Sequence, residues 1–305
     1  MIAKLLRYIP LLATAALACS APAVTGKGGA EPAVIHARPA LWAVSDADTT
    51  IYLFGTVHML RPDVRWFEGD VKQAFDRSDS LVVEVAKEDP AQLGPVIGRL
   101  AANTDGPKAT ELLNPKQRAR YLAALKAYSL PPEAMDRYDP WYISINLSII
   151  PLMQLGYSQD LGVDKVLESA ADRSGKPVMG FETAEEQLGF FDSLPRPVQV
   201  RYLDATVKEL PQIKPEFAKL IRHWAGGKAD ALARQMNDSM KETPELAKPL
   251  LLDRNARWAD WIEERMGQPG TVFIAVGAGH LAGKGSVTDL LAQKHFAVRR
   301  VGPEK

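Results

Sequence analysis

The sequence predicts an α/β fold: a central mixed sheet built from strands at both ends of the chain, flanked by helices, with a large helical insertion or lid. Three observations carry this. Short apolar runs of strand type cluster before residue 86 and after residue 270, and one more lies near residue 180. The segments between them are long and helical in pattern, which suits helices laid on a sheet. With 305 residues, 46% of them hydrophobic, there is enough apolar material for a sizeable core.

The first element is an address. Lys4 and Arg7 precede an apolar run from Tyr8 to Ala18, the pattern of a bacterial export signal over residues 1–18. The run is shorter than the roughly 20 residues a membrane span needs. Cys19, the only cysteine, follows Ala16-Leu17-Ala18, a permissive lipobox, so lipidation of Cys19 is expected, with a periplasmic protein anchored to the outer membrane. The alternative is ordinary cleavage after Ala21-Pro22-Ala23 and a soluble exported form. A single cysteine excludes a disulfide framework or a cysteine-based zinc cluster. Residues 19–39, rich in Ala, Gly and Pro, read as a flexible tether.

The body, residues 40–302, follows. Leu41–Val44 and Ile51–Phe54 read as strands joined by a polar turn, Gly69–Arg77 as a helix, and Leu81–Val85 as a buried strand. From about 90 to 267 the pattern is helical, broken at prolines. Within it, Val163–Arg173 is a helix ended by Gly175, and Pro177–Phe181 is a strand carrying Glu182 at its end. Thr271–Val276, a helix from Ser286 to Lys294 and the strand Ala297–Val301 close the chain. Lys and Arg total 37, as do Asp and Glu. That balance argues against a nucleic-acid partner.

The motif that carries chemistry is an echo. Ile51-Tyr52-Leu53-Phe54-Gly55-Thr56-Val57-His58 and Phe273-Ile274-Ala275-Val276-Gly277-Ala278-Gly279-His280 each give four apolar strand residues, a glycine, two further residues and a histidine. Glycine there is expected to let the chain leave the strand in a conformation other residues avoid. If the strands are neighbours, both imidazoles reach the carboxyl edge of the sheet, where open α/β sheets bind ligands. Glu84 and Glu182, near the ends of other apolar strands, are the natural carboxylates, since a buried charge there needs a cation or a donor. His58, His280 and Glu84 are therefore the candidate ligands of a divalent ion (Mn, Co or Zn), with Glu84 and Glu182 as candidate catalytic carboxylates. Structural readings compete: helix capping for Glu182, and capping or an arginine partner for Glu84. His36, His223 and His295 lack the strand context and read as surface or structural residues. Trp141 and Arg254 lie in helical stretches, either as core packing or as the wall of the site, with Arg254 reaching a substrate carboxylate or a metal-binding glutamate. Gly277-Ala278-Gly279-His280-Leu281-Ala282 also fits a dinucleotide fingerprint, but too little chain follows for a nucleotide-binding half-domain. There is no H-E-x-x-H, G-x-S-x-G or phosphate-loop motif.

Taken with Leu81-Val82-Val83-Glu84, Gly162-Val163-Asp164, Gly180-Phe181-Glu182-Thr183 with Gln187, Arg254-Asn255 with Trp258, and Gly283 and Gly285, the two G-x-x-H strands resemble the TraB/PrgY/GumN family, related to the Tiki proteins. Phe181 stands where that pattern expects leucine. The resemblance implies an erythromycin-esterase/ChaN-like fold and a metal-dependent hydrolase centre on the two histidines and a glutamate, acting on peptide-like substrates. It leaves the substrate open. Its ChaN-like side implies the alternative, a non-catalytic envelope lipoprotein that binds haem, iron or peptide.

Overall fold

A computed structural model describes residues 34–237 and 244–302. The export signal, Cys19 and most of the tether lie outside those residues. Among the described residues eight strands run in chain order: β1 (Ile35–His36), β2 (Leu41–Ser45), β3 (Thr49–Thr56), β4 (Val64–Arg65), β5 (Ser80–Val85), β6 (Val178–Glu182), β7 (Gly270–Gly277) and β8 (Arg299–Arg300). Six form one mixed sheet in the order β6-β5-β7-β3-β2-β8. Its first four members are mutually parallel, while β2 is antiparallel to both β3 and β8. The architecture is the expected one, a mixed sheet of strands from both chain ends flanked by helices.

The apolar runs are continuous because the sheet is covered on both faces. Phe54, Leu81, Val83, Phe273 and Ala275 point into one core, while Ile51, Leu53, Val82, Ile274 and Val276 point into the other. The first core is closed by helices Gly69–Arg77, Pro140–Gln154, Val163–Ser174 and Ile213–Ala225. The second is closed by helices Asp253–Met266 and Val287–Gln293. A third apolar cluster joins Tyr121, Leu125, Ile143, Leu147 and Leu203 within the helical region.

Three expectations change. The tether ends earlier than residue 39: β1 pairs with β4, Ile35 opposite Val64, and Ala37 is buried. Two-residue strands leave no alternation to read, which hides both β1 and β4 in the sequence. Several prolines expected as breaks are first helical positions instead, as at Pro115 and Pro140, where the missing N–H is harmless. The last strand shortens to Arg299–Arg300. Among the described residues no helix is long and apolar enough to cross a membrane.

The role of Gly55 also differs from expectation. Its backbone is not in the left-handed region. A Cβ there would lie 3.0 Å from both Cα and Cβ of Ala278, so glycine is needed for the close approach of β3 to the turn after β7. The indole Nε1 of Trp224 donates to the Gly55 carbonyl at 2.8 Å and fixes this strand end from the other side.

Asp204 ties two helices of the third cluster, Pro115–Ala127 and Arg196–Glu209. Burial alone would raise its carboxyl. Lys208 at 2.7 Å and Arg120 more than reverse this and hold it below the ordinary aspartate value. A carboxyl with a lowered folded-state pKa stabilises the protein above its unfolded value of about 3.9, and that contribution is lost as the pH falls through the folded value. Asp204→Asn is therefore expected to lower stability at neutral pH and to flatten the loss below about pH 4, as followed by urea denaturation across pH.

Candidate active site

Four neighbouring parallel strands end at one rim. In spatial order they are β6 with Glu182, β5 with Glu84, β7 leading to His280, and β3 leading to His58. Registers Val85 opposite Glu182 and Thr56 opposite Gly277 keep the four ends level. The two G-x-x-H strands are direct neighbours over eight paired positions.

His280 sits in a 3-10 turn, Ala278–His280, directly after β7, and is fully buried. Its Nδ1 lies 2.6 Å from Asn255 Oδ1, and the Asn255 amide donates to the Gly285 carbonyl at 2.7 Å. The Asn255 oxygen must therefore accept, which places the ring hydrogen on Nδ1 and the lone pair on Nε2. Burial first, then the Arg254 guanidinium and His58, push the His280 pKa well below its ordinary value, so the ring is neutral at pH 7.

His58 is oriented by a residue to which sequence reasoning gave no role. Its Nδ1 lies 2.6 Å from Asp164 Oδ2, at the start of helix Val163–Ser174. Burial would raise the Asp164 carboxyl, but the His58 ring, through charge and hydrogen bond, together with hydrogen bonds from Thr56 and the Asp164 backbone, holds the group below the ordinary value. Gly162 allows this: a Cβ there would lie 2.5 Å from the His58 carbonyl oxygen. Asp164 supplies the carboxylate, and Gly162 lets its helix come close enough to deliver it.

Arg254 holds the carboxylates. Alternation along β5 puts Glu84 on the face of Val82, toward helix Asp253–Met266. That helix buries Arg254, Asn255, Trp258, Ala259, Ile262 and Met266, so the stripe that seats it on the sheet begins with the two polar residues of the site. A π-helical turn, Lys248–Leu252, precedes Arg254. The guanidinium donates from Nη2 to Glu84 Oε2 at 2.6 Å and to Glu182 Oε2 at 2.8 Å, and from Nε to Glu182 Oε1 at 2.8 Å. Its Nη1 donates to the Leu250 carbonyl at 3.1 Å and to His280 Nε2 at 3.2 Å. Gln187 Nε2 bridges the same two oxygens, at 3.0 and 3.1 Å, and the Gly277 N–H donates to Glu84 Oε1 at 2.6 Å. Glu84, Glu182 and Arg254 are all buried, whereas Arg257, 3.3 Å from Glu182, is 53% exposed at its side chain. Trp258 stacks under the Arg254 guanidinium at 4.7 Å.

The structure thus brings Glu84, Glu182, Arg254 and His280 into one network. Trp141 is fully buried against Phe191 and Tyr142, with no contact joining it to that network among the described residues. Cys19 lies outside the described residues.

The two imidazoles offer the donor chemistry of a divalent-ion site. Each ring commits Nδ1 to an oxygen partner, the arrangement that usually orients metal-binding histidines through Nε2. Glu84 Oε1 is 3.8 Å from His280 Nε2, wider than the roughly 3.3 Å between two donors on one tetrahedral ion. Among the described residues, however, no three His, Cys, Asp or Glu side chains stand in ligating arrangement, and Arg254 lies on the carboxylate side. The fit is therefore one of donor chemistry, with the guanidinium spacing the acids.

Comparison with known proteins gives the same grouping. The chain is 21% identical to an uncharacterized protein of Treponema pallidum (strain Nichols), over 88% of this chain and 85% of that one. It is 23% identical to the uncharacterized protein YbaP of Escherichia coli (strain K12), over 83% of this chain and 92% of that one. No solved structure matches. Residues 40–300 match the sequence profile of the TraB/PrgY/gumN family, a span that contains every residue of the network just described. The chain belongs to the TraB/PrgY/gumN family.

Proposed function

We propose that this protein is an exported metal-dependent hydrolase of peptide-like substrates. The observation that supports it most is the shared rim: two tautomer-fixed imidazoles and two buried carboxylates at the ends of four adjacent parallel strands. In this reading His58, His280 and Glu84 would hold the ion. A divalent ion (Mn, Co or Zn) at these donors would polarise a substrate carbonyl and make a water more acidic. Asp164 and Asn255 keep the two rings in the required tautomer. Glu182 is the carboxylate assigned to accept a proton, at Oε2, where Gln187 and Arg254 now donate. Export, and anchoring to the outer membrane through lipidated Cys19, are part of the proposal and rest on the sequence of residues 1–19.

A second reading is an envelope protein that binds peptide, haem or iron without turnover. The saturation of both glutamates and of His280 Nε2 by internal donors favours it. Complete burial of His280 speaks against haem, whose iron would have to reach the ring nitrogen through a macrocycle-sized opening.

One assay separates the readings. A pool of unstructured peptides is incubated with the protein and Mn²⁺, Co²⁺ or Zn²⁺, and cleavage is read by mass spectrometry. Ion-dependent cleavage that disappears in the His58→Ala, His280→Ala double variant is expected. Peptide retention without cleavage under all three ions would favour the binding protein.

A further inference from the structure

The proposed ion and Arg254 compete for His280 Nε2 and for the Glu84 carboxylate. The His280 Nε2 lone pair can serve a guanidinium proton or a metal ion, not both, and it now accepts from Arg254 Nη1 at 3.2 Å. Glu84 Oε2 is held by Nη2 at 2.6 Å. A cation touching Glu84 and His280 therefore falls in the space that the two terminal nitrogens reach.

Arg254 also has somewhere else to stay. Its Nε grips both Glu182 oxygens, at 2.8 and 3.1 Å, and its Nη1 has a second acceptor in the Leu250 carbonyl. Trp258 and Phe190 lie against the guanidinium at 4.7 and 5.8 Å. Released from Glu84 and His280, the group keeps a carboxylate, a carbonyl and its stacking surfaces, and so stays buried and paired. Arg257, already at Glu182 and half exposed, can swing to water to make room. The charge count agrees: Arg254 neutralises Glu182, and the incoming ion neutralises Glu84.

We propose that Arg254 is a displaceable counter-cation: a divalent ion enters by exchanging with the guanidinium at Glu84 and His280, and Arg254 withdraws onto Glu182. The inference rests on the divalent-ion reading of the site and adds that this residue opposes binding. It makes an unusual prediction for a buried arginine in a metal centre, because removing it tightens the ion.

Calorimetric titration with Zn²⁺ and Mn²⁺ compares the unaltered chain with Arg254→Gln. At least a tenfold gain in affinity is expected in the variant, and millimolar guanidinium added to Arg254→Ala should reverse most of the gain there. Equal or weaker binding in the variant, with binding intact in the unaltered chain, would overturn the exchange while leaving the ion site standing. Binding by neither protein would remove the ion site, and the exchange with it. Because the variants can fail to fold, the unaltered chain gives an independent reading by NMR of ¹⁵N-labelled arginine. Zn²⁺ should shift the Arg254 Nη resonances and leave the Nε–H protected on Glu182. Ion binding that leaves the Nη resonances unmoved would also overturn the proposal.

Discussion

Arg254→Ala is expected to cost the fold about 3–5 kcal/mol, measured by urea denaturation in the presence of a chelator. The guanidinium is buried beneath two carboxylates that are themselves buried, and one of its nitrogens touches both within 2.8 Å. Its removal leaves Glu84 with only neutral donors, Gln187 and the Gly277 N–H, and leaves Glu182 with Gln187 and the half-exposed Arg257 at 3.3 Å. The cost comes from the stranded charges rather than from lost packing. Adding Glu84→Gln and Glu182→Gln should therefore restore more than half of the lost stability, since removing both sides of a buried pair is far milder than removing one. If the triple variant is as unstable as Arg254→Ala, the loss lies in stacking on Trp258 and Phe190 instead.

Trp141→Ala should lose about 3–5 kcal/mol by a different route. The indole is completely buried and stacks on Phe191 at 5.8 Å, with Tyr142 against its edge. Alanine leaves a cavity in the larger of the two cores that sandwich the sheet. Because its ring partners, Phe191 and Tyr142, are not members of the guanidinium network, the folded fraction should bind a divalent ion with unchanged affinity. A variant that stays stable but loses the ion would make Trp141 a wall of the site.

How far the sequence shows this site depends on how local each signal is. The strands β3, β5 and β7 are plain in the sequence because both sheet faces are covered, giving unbroken apolar runs. The G-x-x-H echo marks two strand ends, but only the register, Thr56 opposite Gly277, shows that they are neighbours. Asp164 carries no local signal of its work, since its partner His58 is 106 positions away and the link depends on a backbone approach at Gly162. Asn255 is hidden for a related reason: its value lies in which amide atom faces His280, and the Gly285 carbonyl decides that. Arg254 could be placed near a glutamate from its helix, but the sharing of one guanidinium among Glu84, Glu182 and His280 is a property of the packed sheet rim. Glycine misled in a smaller way. A strand-end glycine suggests an unusual backbone, whereas Gly55 has an ordinary one and is needed for its closeness to Ala278.

The central claim is that His58 and His280 serve one and the same ion. Substituting Co²⁺ and recording its visible absorption tests this directly, because the spectrum reports the ligands of each ion present. One Co²⁺ per chain is expected, with a spectrum altered by His58→Gln and by His280→Gln alike. A spectrum that changes with only one of the two substitutions, or a second ion that persists when either ring is lost, would contradict the account.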